Sequence, residues 1–107
     1  MSDCIFCKII EKSIPSEVVY EDDKMLAFKD IRPSAPVHLL LIPKKHIASL
    51  QELSVEDAEL IGAMMLAVPQ IAAQNGLQHG FKTQINTGVQ GGQEVFHLHI
   101  HIMGRPV

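Results

Sequence analysis

Residues 95–104 read VFHLHIHIMG, and this run constrains the fold more than any other. His97, His99 and His101 alternate with Leu98, Ile100 and Ile102. A period of two is the signature of a strand, whose successive side chains point to opposite faces. The three aliphatic residues then belong to a core and the three imidazoles to the other face. The reverse assignment would bury three titratable rings and leave three aliphatic side chains in water. The chain has six histidines, so half of them sit on this one face, which points to metal binding or chemistry rather than to a merely polar surface. Neighbouring positions on a strand face lie roughly 6.5 Å apart, so two of the rings can bend toward one ion while all three would be awkward.

The rest of the chain supplies elements for this strand to pack with. Residues 4–12 predict a short amphipathic helix, ended by the Ile14-Pro15 step. EVVYEDDKMLAFKDI predicts two strands joined through Glu21-Asp22-Asp23-Lys24. PSAP at 33–36 is a loop, and VHLLLIP at 37–43 a buried strand stopped by Pro43. Ser54 is a good N-cap for the one long helix, with Asp57 completing a box-like cap. Ala58, Ile61, Met65, Val68 and Ala72 recur at helical spacing and predict its core face, with a kink at Pro69 and a stop at Asn75-Gly76. FKTQIN at 81–86 predicts a strand, TGVQGGQ a glycine-rich loop, and 95–103 the last strand. The expected fold is α+β: a five-stranded antiparallel sheet with one short N-terminal helix and one long central helix. At 107 residues this is one domain, 1–107, or one subunit of a small oligomer.

Composition removes several function classes. The formal charge is −3 and no run of Lys or Arg exceeds two, so the footprint of a DNA or long-RNA binder is missing; a single nucleotide needs only local donors. No stretch approaches the roughly 20 apolar residues of a membrane span. MSDCIFCKII carries Asp3 and Lys8 through its apolar run and does not read as a signal peptide. The cytoplasm is the default compartment, where thiols stay reduced and a stable Cys4–Cys7 disulfide is not expected.

Cys4 and Cys7 have the C-x-x-C spacing with which two thiolates grip one tetrahedral zinc ion. No strand precedes the pair to open the βα unit of a thioredoxin-like site. The plainer alternative is two buried apolar cysteines. Zinc would need two more ligands, and His46, His79 and the strand histidines are the candidates; spacing does not choose among them. Two thiolates and two imidazoles would close the coordination shell, which describes a structural ion rather than a hydrolytic one.

HLHIHIM at 97–103 matches the pattern His-φ-His-φ-His-φ-φ, φ being apolar, of the histidine triad superfamily. IFCKIIEKSIPSEVVYEDDKMLAFKDIRPSAPVHLLLIPKKHI resembles the N-terminal half of its nucleotide-binding branch, and INTGVQGGQEVFHLHIHIMGRP resembles its C-terminal signature. The resemblance runs over almost the whole chain. It implies a homodimer whose two sheets join into one continuous ten-stranded sheet. It implies hydrolysis of purine nucleoside phosphoramidates, and sometimes related adenylates, to the nucleoside monophosphate. The middle histidine, His99, is then the nucleophile and His38 stands behind it. Asp30 is the ribose-binding acid, and Asn86 ahead of the glycine loop and Gly92 within it are nucleotide-binding positions. Ile5, Phe6, Ile9, Phe28, Ile31 and Leu40 match apolar positions around the base. The zinc-containing members place their ligands at positions that here hold Cys4, Cys7, His46 and His97.

These assignments make chemical sense. A neutral imidazole that presents one lone pair can displace an amine from phosphorus and later leave. A backbone carbonyl accepting from Nδ1–H of His99 would leave Nε2 facing the phosphorus. His101, Gln93 and backbone N–H groups near Gly91-Gly92 are candidates to hold the non-bridging oxygens. Asp30 is suited to accept both ribose hydroxyls, and His79 reads as a solvated turn residue. Two departures from the family pattern stand out. Many members carry Ser, able to protonate the leaving amine, where this chain has Glu94; a carboxyl with a raised pKa can do the same, but ionised it repels phosphate. The sequence also ends at Val107, short of the longer tail many members carry, so selectivity is not read from that end. Alternatives are a dinucleoside polyphosphate hydrolase of the same superfamily, and a dimeric nucleotide- or zinc-binding module acting through partners.

Overall fold

The computed structural model describes residues 3–107. Its middle is the apolar run expected to be a buried strand, β3 (Val37–Pro43), whose residues from His38 onward are all buried. The strands β1 (Val18–Glu21), β2 (Met25–Lys29), β4 (Lys82–Gln84) and β5 (Ile100–Gly104) complete an antiparallel sheet in the order β1-β2-β3-β5-β4. The β1–β2 connection is closed by Asp22, whose carboxylate accepts the Lys24 and Met25 N–H groups at 2.8 and 2.9 Å.

The register gives each face of the sheet its role. On one face Ala27, Leu41 and Ile100 lie side by side, and they pack with Leu39, Ile102 and helix α2 (Ala58–Gln74) as the main core. Each aliphatic side chain fully buried there contributes about 1.5–3 kcal/mol. On the other face Phe28, Leu40, His101 and Gln84 form a row across four strands. Helix α1 (Ile5–Ile10) covers the apolar end of that row with Phe6 and Ile9. The polar end stays open.

The last strand is shorter than its alternation predicts, because the ladder begins only at Ile100. Pro43 ends β3 and has no N–H to donate, and its carbonyl accepts from His97 Nε2 at 2.8 Å. The His97 carbonyl accepts from His99 Nδ1 at 2.7 Å, and the Leu98 N–H goes to the Ile47 carbonyl at 2.7 Å. His97 and Leu98 thus spend these main-chain hydrogen bonds outside the ladder. The aliphatic half of the pattern holds: Leu98, Ile100 and Ile102 are all buried. The histidines do not share one open face, since His97 and His99 are buried as well, each with a polar partner, and only His101 is half-exposed.

Helix α2 also differs from expectation. Ser54 caps a single 3-10 turn, Val55–Asp57, and its N–H donates to the Asp57 carboxylate at 3.0 Å before the α-helix starts at Ala58. The inner face is Met64, Ala67, Val68, Ile71 and Ala72; Ala58 and Met65 face outward and Ile61 is half-buried. The segment is apolar on most sides, so its spacing fits more than one stripe. The helix continues through Pro69 to Gln74. Among the described residues no helix is long and apolar enough to cross a membrane.

Candidate functional site

A cavity of about 570 Å³ opens on the face of the sheet that α2 leaves free. Its apolar end is walled by Ile5, Phe6, Ile9, Phe28 and Leu40; its polar end by Asp30, His38, Asn86, Glu94, His99 and His101. Gly92 and Ile31 also line it, Ile31 with 89% of its surface still open. Helix, sheet and loops thus bring together around one pocket nearly every residue that the resemblance assigned to the nucleotide or to catalysis, Gln93 excepted.

Hydrogen bonds fix the protonation pattern of the histidines. His99 donates Nδ1–H to the His97 carbonyl, which leaves the Nε2 lone pair available at the cavity wall. The Ser34 N–H donates to His38 Nδ1 at 2.9 Å, so the proton of neutral His38 is on Nε2. That proton is donated to His101 Nδ1 at 2.8 Å, with the Asp30 carboxylate a more distant acceptor at 3.4 Å. His101 in turn carries its proton on Nε2. A lone pair on His99 therefore stands beside an N–H donor on His101, the ring centroids 5.0 Å apart.

Burial is the main cause that pushes the His101 pKa down to about 4, helped by His99 and His38 and opposed by Asp30. Burial also lowers the pKa of His38, against the pull of Asp30. Both groups are neutral near pH 7. A base whose folded-state pKa is depressed leaves the unfolded chain binding more protons, so stability is complete above about pH 6.5 and is lost as the pH falls toward 4. Calorimetry across this window should show the melting temperature dropping with acid, and His101→Gln should flatten the slope. A slope unchanged by that substitution would contradict the assignment.

Cys4, Cys7, His46 and His97 converge at the far end of α1, with ligand atoms all within 4.8 Å of one another. His97 Nδ1 lies 3.2 Å from His46 Nδ1, 3.3 Å from Cys4 Sγ and 3.6 Å from Cys7 Sγ, and Cys7 Sγ lies 3.3 Å from His46 Nδ1. Tetrahedral edges around an ion bound at about 2.0 Å to nitrogen and about 2.3 Å to sulfur come to about 3.3 Å for two nitrogens and about 3.5 Å for nitrogen and sulfur. The four separations given lie close to those edges. The tautomer fits too, because His97 Nε2–H is donated to Pro43 and Nδ1 is free to ligate. Asp30, His38 and His101 form a second cluster of ligand-type side chains. There the tautomer argues against a metal: ligation through His38 Nε2 would move its proton to Nδ1, against the Ser34 N–H.

Two of the expected phosphate contacts meet competing hydrogen bonds. Gln93 is buried with its side-chain amide engaged by the main chain: its Oε1 accepts from the Gly88 N–H at 2.8 Å, and its Nε2 donates to the carbonyls of Ala48 and Val95 at 2.7 and 3.0 Å. The N–H groups of Gly91, Gly92 and Gln93 are used inside the loop, on the carbonyls of Gly88, Val89 and Gly88. Asn86 is the loop's outer brace, donating to the Gly91 carbonyl at 2.8 Å. Gly92 sits at φ +84° with Asn86 Nδ2 3.4 Å from where a Cβ would be, so the brace and the glycine belong together. Conversely, Lys82 and Gln84 line the cavity without having been singled out. Strand periodicity could have found Gln84, since it pairs with His101. Ser34 and Pro43, which set the tautomers, act through backbone atoms and left no signal in their side chains.

Residues 3–107 match the family model described as the scavenger mRNA decapping enzyme C-terminal binding domain. The chain is similar to Protein HitA of Neisseria gonorrhoeae, 64% identical over the full length of both. It is similar in structure to a HIT family hydrolase from Legionella pneumophila Philadelphia 1, with a TM-score of 0.93 and 44% identity over 98% of this chain and 95% of that one. A histidine triad protein from Clostridium difficile gives a TM-score of 0.92 at 45% identity, covering 100% of this chain and 95% of that one.

Proposed function

The chain belongs to the histidine triad (HIT) family, and on that premise we propose that it hydrolyses purine nucleoside 5′-phosphoramidates through a nucleotidyl-histidine intermediate. The observation that carries this reading is the 2.7 Å bond from His99 Nδ1–H to the His97 carbonyl, which presents Nε2 as a lone pair at the wall of the cavity.

The base lies between Ile5, Phe6, Ile9, Phe28, Ile31 and Leu40. Asp30 takes the ribose hydroxyls; its Oδ1 already accepts the Arg32 N–H at 2.8 Å, which orients the carboxylate. His99 Nε2 attacks the phosphorus and forms an N–P bond as the P–N bond to the amine breaks. Glu94, on the cavity lining, is the candidate to give the departing amine its proton. His101 Nε2–H, held in place by His38, stabilises the charge growing on a non-bridging oxygen. Water then attacks the same phosphorus, releasing the nucleoside monophosphate and restoring His99. In the second step Glu94, now ionised, accepts the proton of that water.

The resident ion of the four-ligand cluster is zinc in this reading. The donor set of two thiolates and two imidazoles supports it, and the ion's contribution is structural, since all four positions are filled by protein. A homodimer is proposed as well. The edge strand β4 is exposed at every position and offers an unpaired ladder, and α2 exposes Met65 and Leu66, Leu66 at 80%. Two β4 strands pairing across a two-fold axis would give ten continuous strands. Leu66→Glu should shift sedimentation from dimer to monomer.

The deciding experiment compares adenosine 5′-phosphoramidate with diadenosine polyphosphates as substrates. A kcat/KM at least about a hundredfold higher on the phosphoramidate, a preference worth roughly 2.7 kcal/mol at the transition state, is expected. The opposite preference would replace the proposal with a polyphosphate hydrolase. No turnover of either would leave a binding module.

A further inference from the structure

His97 joins the metal-type cluster to His99. The His97 ring faces Cys4 and Cys7, and its main-chain carbonyl accepts the Nδ1–H of His99. A second path runs through Phe6, which α1 places between the two cysteines. The Phe6 ring meets His97 edge-on with centroids 5.9 Å apart, His99 at 5.2 Å and Phe28 at 5.4 Å. Phe6 is 6% exposed, so these contacts fill its surroundings. Helix α1 has six residues, too few to be stable alone. Its apolar anchors are Phe6 and Ile9, and an ion on Cys4 and Cys7 would add a tether at its first turn. Ile5, Phe6 and Ile9 are also a wall of the cavity.

We propose that Phe6 and the His97 main chain couple an ion held by Cys4, Cys7, His46 and His97 to the aim of the His99 ring and to the grip of the cavity on a nucleotide. The inference rests on the reading of His99 as nucleophile and of the cavity as a nucleotide site. Phe6 is a positioning residue. The ion fixes His97 and the start of α1. With both fixed, Phe6 is pressed against the edge of His99, and the carbonyl that selects its tautomer keeps its place. Releasing the ion removes the sulfur tethers, α1 loosens, and the His99 ring loses one wall. Coupling of this kind is reciprocal: a nucleotide that needs the wall must tighten the ion by the factor by which the ion tightens the nucleotide.

The test uses the full chain, loaded with zinc or stripped with a chelator, and AMP as the probe. Calorimetry should find AMP binding weakened on stripping by about 5- to 150-fold, the usual span of such couplings, and zinc binding tightened by the same factor at saturating AMP. Nitrogen NMR of the His99 ring should show one tautomer in the loaded protein and a mixture in the stripped one. Phe6→Leu should keep one zinc per chain yet bring the linkage factor toward one, with kcat falling more than KM rises. Equal AMP affinity and an unchanged His99 ring in a stripped, folded chain would overturn the proposal. So would full linkage in Phe6→Leu. If stripping unfolds the chain, the His99 ring signal and AMP affinity of zinc-loaded Phe6→Leu decide instead, and wild-type values for both would overturn it. The AMP affinity, the zinc affinity and the His99 ring signal do not depend on turnover. A His99→Ala variant that remained active would remove the nucleophile reading while leaving the coupling intact.

Discussion

His99→Ala should abolish turnover of adenosine 5′-phosphoramidate while leaving AMP affinity within about threefold of the parent. The loss in kcat should reach at least about four orders of magnitude, the scale on which removing a covalent nucleophile acts in other hydrolases. The imidazole is buried, so its removal opens a small void beside Phe6; the fold has a separate core on the other face of the sheet to sustain it. Rapid-quench mass spectrometry should trap a nucleotidyl adduct on wild-type His99 and none on the variant. His101→Ala should cost less, about 10²–10³-fold, because it withdraws one donor from a charged oxygen and leaves the attacking lone pair in place. An alanine variant at position 99 that turned over P–N compounds at the parental rate would end the covalent account.

The second large effect concerns the metal. Purified protein should contain about one zinc per chain, and Cys4→Ala or Cys7→Ser should release it. An ion present at a thousand times its dissociation constant stabilises the native state by about 4 kcal/mol. At roughly 4–8 °C per kcal/mol for a domain of this size, metal loss should lower the melting temperature by about 15–30 °C. His97→Ala should also lose the metal and His99→Ala should keep it, which separates two histidines that stand two positions apart. The opposite result, metal kept without His97 and lost without His99, would overturn the assignment of this segment.

Much of this arrangement was legible in the amino-acid order. The element order, the antiparallel sheet and the two helices follow from periodicity and from Pro15, Pro43 and Gly76. The cavity gathers Asp30, His38, Asn86, His99 and His101, residues far apart in the sequence. What was not legible lies where backbone atoms decide. Gln93 resembles a phosphate ligand by position, but three main-chain partners claim its amide. The N–H groups of Gly91 and Gly92 resemble an oxyanion cradle until the turn closes on its own carbonyls. Met65 matches a helical stripe equally well whichever way the helix is turned, because Met64 beside it is apolar too; packing against Leu41 and Ile100 selects the latter.

Pro43 carries a consequence for how one segment serves two neighbourhoods. Regular pairing continued past Leu41 and Ile100 would hold the imidazoles at 97, 99 and 101 in a single file, and a metal and a phosphorus centre would compete for the same rings. An imino acid opposite that stretch interrupts the zipper one step early. The carbonyl thus released is the one that accepts from the first ring, at Nε2 of His97. A substitution such as Pro43→Val, by restoring a donor there, would invite the sheet to grow by one rung and merge two compartments that the native chain keeps apart.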